Sequence, residues 1–200
     1  SKIKEDFCYL FVGHWLQGNM GEDRKDTGMM VKVFLETFKN TKTPPALIMK
    51  TSSAGFSILD RNDLKKKIDM VKKSIDCETL PNIYLLHGDL TVDEMSILYN
   101  LPKIKAMLSC THGEGYGRPL AEASCSGKPQ SAFPKEYFNE ESVWSTVNYG
   151  VSSQIIKDVH KNYHKYEIRG KKQMLINREH FTHEKMSEKL ITIVDNHLKD

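Results

Sequence analysis

A chain of 200 residues, of which 39% are apolar, is long enough for one domain that buries about 70% of its unfolded surface without disulfides or metals. The net charge of +3 gives no basis for nucleic-acid binding, and no apolar run approaches the roughly 20 residues of a membrane span. The four cysteines lack C-x-x-C spacing and are predicted to be reduced core residues of a cytoplasmic protein. The most basic stretch, residues 61–73, has apolar residues at helical spacing, which predicts a solvated helix face.

Short apolar runs alternate with helical patterns along the first three quarters of the chain. Runs that are apolar on both faces predict buried strands. These strands are predicted at residues 7–12, 46–49, 83–87 and 105–110. Helices are predicted between and after them at residues 27–39, 62–75, 91–99 and about 119–126. This alternation predicts an α/β, Rossmann-like domain of three layers, with a parallel sheet between two layers of helices.

The last quarter of the chain is more polar and has helical patterns. Residues 142–166 contain one predicted helix, and a terminal helix is predicted after Thr182, whose hydroxyl suits an N-cap. Before them, residues 130–137 lack the further buried strand that the alternation requires. Either the sheet ends there, or residues that belong between Pro129 and Phe133 are absent from the chain.

A glycine-rich loop follows the fourth predicted strand. It contains Gly113, Gly115 and Gly117, and Pro119 stands where the first turn of the next helix is expected. Glycines let a ligand approach the backbone, and the free N–H groups of a helix N-terminus favour an anion. The loop therefore predicts a phosphate site.

Two carboxylates accompany this loop. Glu114 lies within it, and Glu122 lies one turn inside the following helix. Carboxylates do not bind phosphate, but they accept hydrogen bonds from sugar hydroxyls. The crevice at the carboxyl ends of parallel strands is the usual ligand position in such sheets. The plain alternative is an ordinary loop with glycine turns and two solvated glutamates.

The segment Glu114-Gly-Tyr-Gly-Arg-Pro-Leu-Ala-Glu122, followed by Gly127-Lys128-Pro129, resembles the E-x7-E segment of group 1 (family 4) retaining glycosyltransferases of the GT-B fold. Further likeness covers residues 9–13, 22–28, 83–99 and 181–198. The resemblance implies that residues 1–200 form the C-terminal donor-binding half of such a fold, with the terminal helices, about 150–200, packing back on it. Arg118 departs from the family, which often has an apolar residue there.

The resemblance implies chemical roles at the sugar and the diphosphate. Glu114 is expected to contact hydroxyls of the transferred hexose. Lys25, with Arg24, is expected to neutralise the diphosphate as it leaves. Such enzymes break the glycosyl–phosphate bond with retention, and cations and a helix N-terminus meet the charge of the leaving group. Neither a metal nor a cofactor is therefore expected, and the nucleotide-diphosphate sugar is the donor substrate.

Other residues are implied in donor binding. Glu122 is expected to bind the ribose hydroxyls, and the backbone between Gly88 and Leu90 to hold the base. Gly13 forms the glycine turn after the first strand, and His14 replaces an arginine that the family often has there. Backbone N–H groups for the sugar and the diphosphate are expected from Gly115, Tyr116 and Gly117.

The resemblance also implies partners. The expected donor is a UDP-, GDP- or ADP-linked sugar, and the acceptor would be bound by an N-terminal domain that this chain lacks. The isolated chain is therefore expected to be inactive and cytoplasmic, with any contact to a membrane surface made through the absent domain. The alternative is a non-catalytic nucleotide-sugar-binding or scaffolding domain of the same fold.

Other site types fit the sequence less well. Cys110 and His112 would form a nucleophilic pair only if their side chains faced each other. The glycine loop lacks G-x-G-x-x-G spacing and follows the fourth strand, which disfavours a dinucleotide-binding oxidoreductase. Two histidine pairs at helical spacing lack further ligands, which indicates surface histidines instead of a metal site. These pairs are His160 with His164 and His180 with His183.

Overall fold

The computed structural model describes residues 3–16, 20–53, 55–114, 117–129 and 147–198. Within these ranges the strands are β1 (Cys8–His14), β2 (Ala46–Ser52), β3 (Ile83–Leu86) and β4 (Ile104–Met107). The helices are α1 (Thr27–Phe38), α2 (Ile58–Lys73), α3 (Val92–Asn100), α4 (Arg118–Cys125), α5 (Tyr149–Lys161), α6 (Tyr163–His180) and α7 (His183–His197). The predicted alternation of strands and helices is therefore confirmed.

The described strands form one parallel sheet in the order β3-β2-β1-β4. β1 and β2 pair over their whole length, from Cys8 opposite Ala46 to His14 opposite Ser52. Because all strands point the same way, their carboxyl ends meet along one edge of the sheet. The site residues predicted after these strands can therefore converge.

Helices cover both faces of the sheet, as predicted for three layers. One apolar cluster joins the sheet to α1, α2 and α5, and a second joins the opposite face to α3 and α4. The first cluster is built on Tyr9, Phe11, Leu47 and Met49, together with Met30, Phe34, Leu64, Ile68 and Ile156. The second contains Cys8, Leu10, Ala46 and Ile48, together with Leu98, Tyr99 and Ala123.

The four described strands end at other residues than predicted, β3 by one residue, at Leu86 instead of residue 87. β1 and β2 continue past their apolar runs to His14 and Ser52, because both keep their parallel pairing there. β4 ends at Met107 instead of residue 110. Leu108 still donates its N–H to Leu10, but the chain then turns away, and the His112 N–H donates to the carbonyl of Arg24.

Hydroxyl caps start several helices. Thr91 and Glu94 form the predicted capping box of α3, and the Thr182 side chain accepts from the Lys185 N–H at 3.2 Å. The predicted start of α2 at residue 62 is wrong. The Ser57 hydroxyl accepts from the Asp60 N–H at 3.1 Å, so α2 begins at Ile58. Its lysine-rich face is exposed in large part, as predicted.

The C-terminal part contains a helix that the sequence pattern did not separate. The backbone breaks at Asn162, so α5 ends at Lys161 and Tyr163 belongs to α6. α5 packs against α1, and α6 packs against α4. None of the residues of α7 is buried, and its apolar residues are exposed. Within the described ranges no helix is long and apolar enough to cross a bilayer.

His160 anchors α5 to the opposite end of the sheet from the predicted site. Its ring makes edge contacts with Phe7 and Phe38, at centroid distances of 4.8 Å and 5.5 Å. Burial lowers the pKa of His160, because the charged ring would lose its hydration there. The neutral ring is therefore part of the apolar packing.

α6 crosses the chain closely after α4. Gly170 is buried, and a Cβ built there would lie 2.4 Å from the carbonyl oxygen of Gly127. This crossing brings Pro129 to the edge of β4, where its carbonyl accepts from the Met107 N–H at 3.0 Å. The question of a further strand at residues 130–137 concerns residues outside the described ranges.

The cysteines are free. Cys8 and Cys110 are buried and Cys77 is half-buried, but Cys125 is exposed. The prediction of core residues is therefore wrong for Cys125. Its position on α4 faces a cleft of about 310 Å³ that α3 and α6 also line.

Candidate functional site

The glycine loop leads into α4 as the sequence predicts. Gly117 has a φ of +71°, a left-handed conformation that glycine adopts without strain, and α4 begins at the next residue. Pro119 lies in the first turn of the helix. Gly115 and Tyr116, two predicted donor contacts, lie outside the described residues.

Glu114 is held by the two predicted cations. Lys25 donates from Nζ to Glu114 Oε1, and Arg24 Nη1 lies 3.4 Å from Oε2. Arg24 also donates to the Gly113 carbonyl at 2.8 Å. The Lys25 side chain is 7% exposed, so this ion pair is shielded from water. The structure thus brings together three residues that the resemblance assigned to the sugar and the diphosphate.

Asp23 fixes the backbone that carries these cations. Its carboxylate accepts from the Lys25 N–H at 2.9 Å and from the Thr27 N–H at 3.2 Å. It is 5% exposed, and it satisfies one donor at the start of α1 and one just before it that would otherwise lack partners. The sequence analysis missed it, because Asp23 lies four residues before Thr27 and outside the usual N-cap position.

A buried polar cluster lies behind Lys25. Asp26 is fully buried, and its Oδ2 accepts from the Tyr149 hydroxyl at 2.7 Å and lies 3.9 Å from His112 Nε2. Burial is the main cause that raises the pKa of Asp26. Nearby, burial raises the pKa of Cys110 to about 12, so its thiol is protonated at neutral pH. These contacts give the Cys110–His112 alternative no support.

Glu122 has partners on both carboxylate oxygens. Arg118 Nε lies 2.5 Å from Oε1, and the Tyr99 hydroxyl donates to Oε2 at 3.0 Å. Each carboxylate oxygen can accept more than one hydrogen bond, so acceptor capacity for ribose hydroxyls remains. Arg118, whose role the sequence left open, orients this carboxylate from the preceding turn of α4.

The loop after β3 contains the residues that were predicted to hold the base. Gly88 has a φ of +133°, and its carbonyl accepts from Lys50 Nζ at 2.6 Å. Beside it, His87 Nε2 lies 2.7 Å from Asp60 Oδ2, which ties the end of β3 to α2. Lys50 was not predicted, because it follows the apolar run that defined the second strand.

One cleft of about 420 Å³ at the carboxyl edge of the sheet connects these parts. Among the predicted site residues, those that line it are Gly13, His14, Arg24, Lys25, Leu90 and Glu122. His14 Nδ1 lies 3.1 Å from the Ser52 hydroxyl at one side. Glu114, Gly88 and Gly117 contact or flank lining residues without lining the cleft themselves.

The histidine pairs do not gather ligands. His160 and His164 belong to different helices, α5 and α6, and His164 lies 3.7 Å from Glu167 at the surface. In the described part of the chain, no group of three or more histidine, cysteine or acidic side chains is placed to hold a metal ion. The expectation that no metal is used remains a prediction.

Several solved structures of glycosyltransferases align with this chain. The C-terminal domain of a group 1 family glycosyltransferase, LpcC from Francisella tularensis, aligns with a TM-score of 0.60 at 13% identity, over 91% of this chain and 89% of that one. The pneumococcal O-GlcNAc transferase GtfA, in complex with UDP and GlcNAc, aligns with a TM-score of 0.59 at 16% identity, over 98% and 37%. Anabaena Alr3699/HepE, in complex with UDP-glucose, aligns with a TM-score of 0.59 at 14% identity, over 94% and 49%. No family model and no curated protein matches the sequence.

These likenesses establish the fold. The chain has the fold of the C-terminal domain of group 1 glycosyltransferases, one half of the GT-B architecture, so the predicted fold class is confirmed. It spans 89% of the isolated LpcC domain, but only 37% of GtfA and 49% of HepE.

Proposed function

We propose that this chain is the donor-binding domain of a retaining glycosyltransferase, which transfers a hexose from a nucleoside-diphosphate sugar to an acceptor. The proposal rests on the cleft at the carboxyl edge of the sheet, where residues from five separate segments meet. Solved structures with the same fold that hold UDP or UDP-glucose support this choice of ligand class.

The observation that carries the proposal is the distribution of charge in the cleft. Four of its lining side chains are cationic and two are acidic. The cations are Arg24, Lys25, Lys50 and Arg118, and the acids are Asp89 and Glu122. This excess of positive charge suits a diphosphate, while Glu122 offers acceptors for ribose hydroxyls.

The proposed chemistry follows from these positions. When the glycosyl–phosphate bond breaks, negative charge develops on the departing diphosphate. Lys25 and Arg24, together with the N–H groups at the start of α4, would stabilise that charge. Glu114, oriented by both cations, would accept hydrogen bonds from hydroxyls of the transferred sugar. The proposed mechanism assigns no step to a metal.

The acceptor is proposed to bind elsewhere. GtfA and HepE are much longer than this domain, which supports a partner domain that forms the other wall of the active site. On this proposal the 200 residues bind the donor weakly and transfer little by themselves. A cytoplasmic location, with membrane contact made through the partner domain, belongs to the same proposal.

Calorimetric titration of the chain with UDP, GDP and ADP, and with their glucose derivatives, tests donor binding. We expect saturable binding of at least one of them. Glu122→Ala and Lys25→Ala should each weaken it about tenfold or more, since each removes a charge-assisted contact. Matched controls are Glu188→Ala and Lys65→Ala, because both side chains are exposed and lie away from the cleft. A folded chain that binds none of the ligands would contradict the proposal.

Turnover separates an enzyme from a scaffold. In the two-domain protein, Glu114→Ala should abolish hexose transfer while leaving UDP affinity within a few-fold of the parent. The anomeric configuration of the product, measured by NMR, tests retention. A two-domain protein that binds donor but releases no product with any acceptor would favour the non-catalytic alternative.

A further inference from the structure

Lys50 occupies an unusual place in the fold. It is the fifth residue of β2, which is otherwise buried at every position, and it pairs with Val12 of β1 and Leu86 of β3. Because side chains alternate along a strand, Lys50 shares a face with Ala46 and Ile48, the face covered by α3 and α4. A lysine therefore ends an apolar stripe where the sheet opens into the cleft.

The ammonium group of Lys50 has spare donors. Its Nζ donates to the Gly88 carbonyl at 2.6 Å, which is its one hydrogen bond to the described residues. An ammonium has three N–H donors, so two remain for a ligand. Burial lowers the pKa of Lys50, which reflects incomplete hydration of the charge. A ligand acceptor would therefore replace water that this amine partly lacks.

The surroundings of Lys50 suit a flat ring. The Phe56 ring centroid lies 5.4 Å from Nζ, and Leu90 and Met95 line the same cleft. Phe56 is 49% exposed, so part of its aromatic surface is open although the His87 ring packs against it with a centroid distance of 6.0 Å. Aromatic side chains stack on nucleobases with little preference for sequence. Stacking on Phe56 would hold a base of any kind, whereas the Lys50 ammonium group would distinguish one base from another.

Bases differ in what they offer a donor. Uracil and guanine carry exocyclic carbonyl oxygens, whereas adenine presents an amino donor and ring nitrogens along its corresponding edge. Lys50 can only donate, so it can pair with the carbonyl oxygens of uracil and guanine, whereas the acceptor nitrogens on that edge of adenine lie beside an amino group that cannot accept. A site built to donate to a ligand discriminates strongly against analogues that lack the acceptor.

We propose that Lys50 is a specificity-determining residue, which donates to an exocyclic carbonyl of the base and selects uracil or guanine nucleotides over adenine nucleotides. The inference rests on the nucleotide-binding function proposed above. It narrows the donor to a UDP- or GDP-linked sugar, because both bases offer the same carbonyl chemistry.

Calorimetric affinities of the chain for UDP, GDP and ADP test the inference. We expect the parent to bind UDP or GDP at least about tenfold more tightly than ADP, and the better of the two identifies the base. Lys50→Met keeps the apolar stem and removes the donors. It should weaken the preferred nucleotide about tenfold and change ADP affinity less than about twofold. Lys65→Met, an exposed lysine on α2, is the matched control.

A second variant covers the case in which Lys50→Met does not fold. Lys50→Gln keeps one donor group and adds an acceptor, and glutamine pairs well with adenine. It should shift the UDP-to-ADP or GDP-to-ADP affinity ratio towards adenine about fivefold or more. An unchanged ratio would overturn the inference. An equal loss of affinity for all three nucleotides in Lys50→Met would also overturn it. That result would mean that Lys50 contacts the diphosphate or only supports the loop at Gly88. A folded parent that binds no nucleotide would instead refute the proposed function.

Discussion

Asp23 lends itself to a quantitative test, because one buried carboxylate holds the segment that carries Arg24 and Lys25. Asp23→Ala removes the acceptor for two backbone N–H groups, those of Lys25 at 2.9 Å and Thr27 at 3.2 Å. Each buried donor left without a partner costs about 1–3 kcal/mol. Since two donors lose the same acceptor, we expect a total loss of about 3 kcal/mol in the free energy of unfolding.

Urea unfolding followed by circular dichroism measures this loss of stability. In thermal unfolding of a chain of this size, the same loss lowers Tm by about 6–12 °C. Asp23→Asn keeps one accepting oxygen and should lose about half as much. Asp69→Ala, an exposed aspartate on α2, should change stability by less than about 0.5 kcal/mol. A loss below about 1 kcal/mol in Asp23→Ala, or an equal loss in Asp69→Ala, would refute the reasoning.

Three further predictions concern stability measured by urea unfolding. Thr91→Ala should cost about 1 kcal/mol, because it removes the capping box of α3, and an unchanged midpoint would contradict that role. Gly170→Ala should cost about 1–3 kcal/mol despite its better helix propensity, because the new Cβ would lie 2.4 Å from the Gly127 carbonyl oxygen. A gain in stability would contradict this prediction, because it would mean that α6 and the chain after α4 can move apart without cost. Burial lowers the pKa of His160, so the stability it contributes is complete above the unfolded pKa of about 6.5 and is lost as pH falls below it. Between pH 7.5 and pH 5.5, the urea midpoint of the parent should therefore fall by more than that of His160→Leu. The control His180→Leu, which changes an exposed histidine, should follow the parent. An equal pH dependence of the midpoint in the parent and in His160→Leu would contradict this assignment.

The sequence was informative where local chemistry decides structure. The apolar runs of the strands, the Thr91 capping box and the Thr182 cap depend on residues a few positions apart, and all are present. α6 could not be predicted in the same way. Gly170 is its one buried residue, so the helix has no apolar stripe and is recognised by its close contact with the chain after α4.

The candidate site was predictable only in part, because its contacts join distant segments. The glycine loop and the glutamates follow a recognisable pattern, but the pairing of Lys25 with Glu114 spans 89 residues. The partners of Glu122 differ in this respect. Tyr99 lies 23 residues away on another helix and follows no pattern in the sequence. Arg118 lies only four residues away on α4, a usual spacing for a helical ion pair, but the sequence analysis left its role open because it departs from the family pattern.

The ends of β1 and β2 lie beyond the predicted ends for a reason that concerns this fold more generally. The apolar runs of β1 and β2 stop at Val12 and Met49, yet both strands continue in register for two or three residues. Covering helices can bury the middle of a parallel sheet, but the carboxyl edge must stay open for a ligand. Polar residues that follow an apolar run, such as His14 and Lys50, therefore belong to the strand and line the cleft at its end. A polar side chain in that position does not by itself mark the end of the strand.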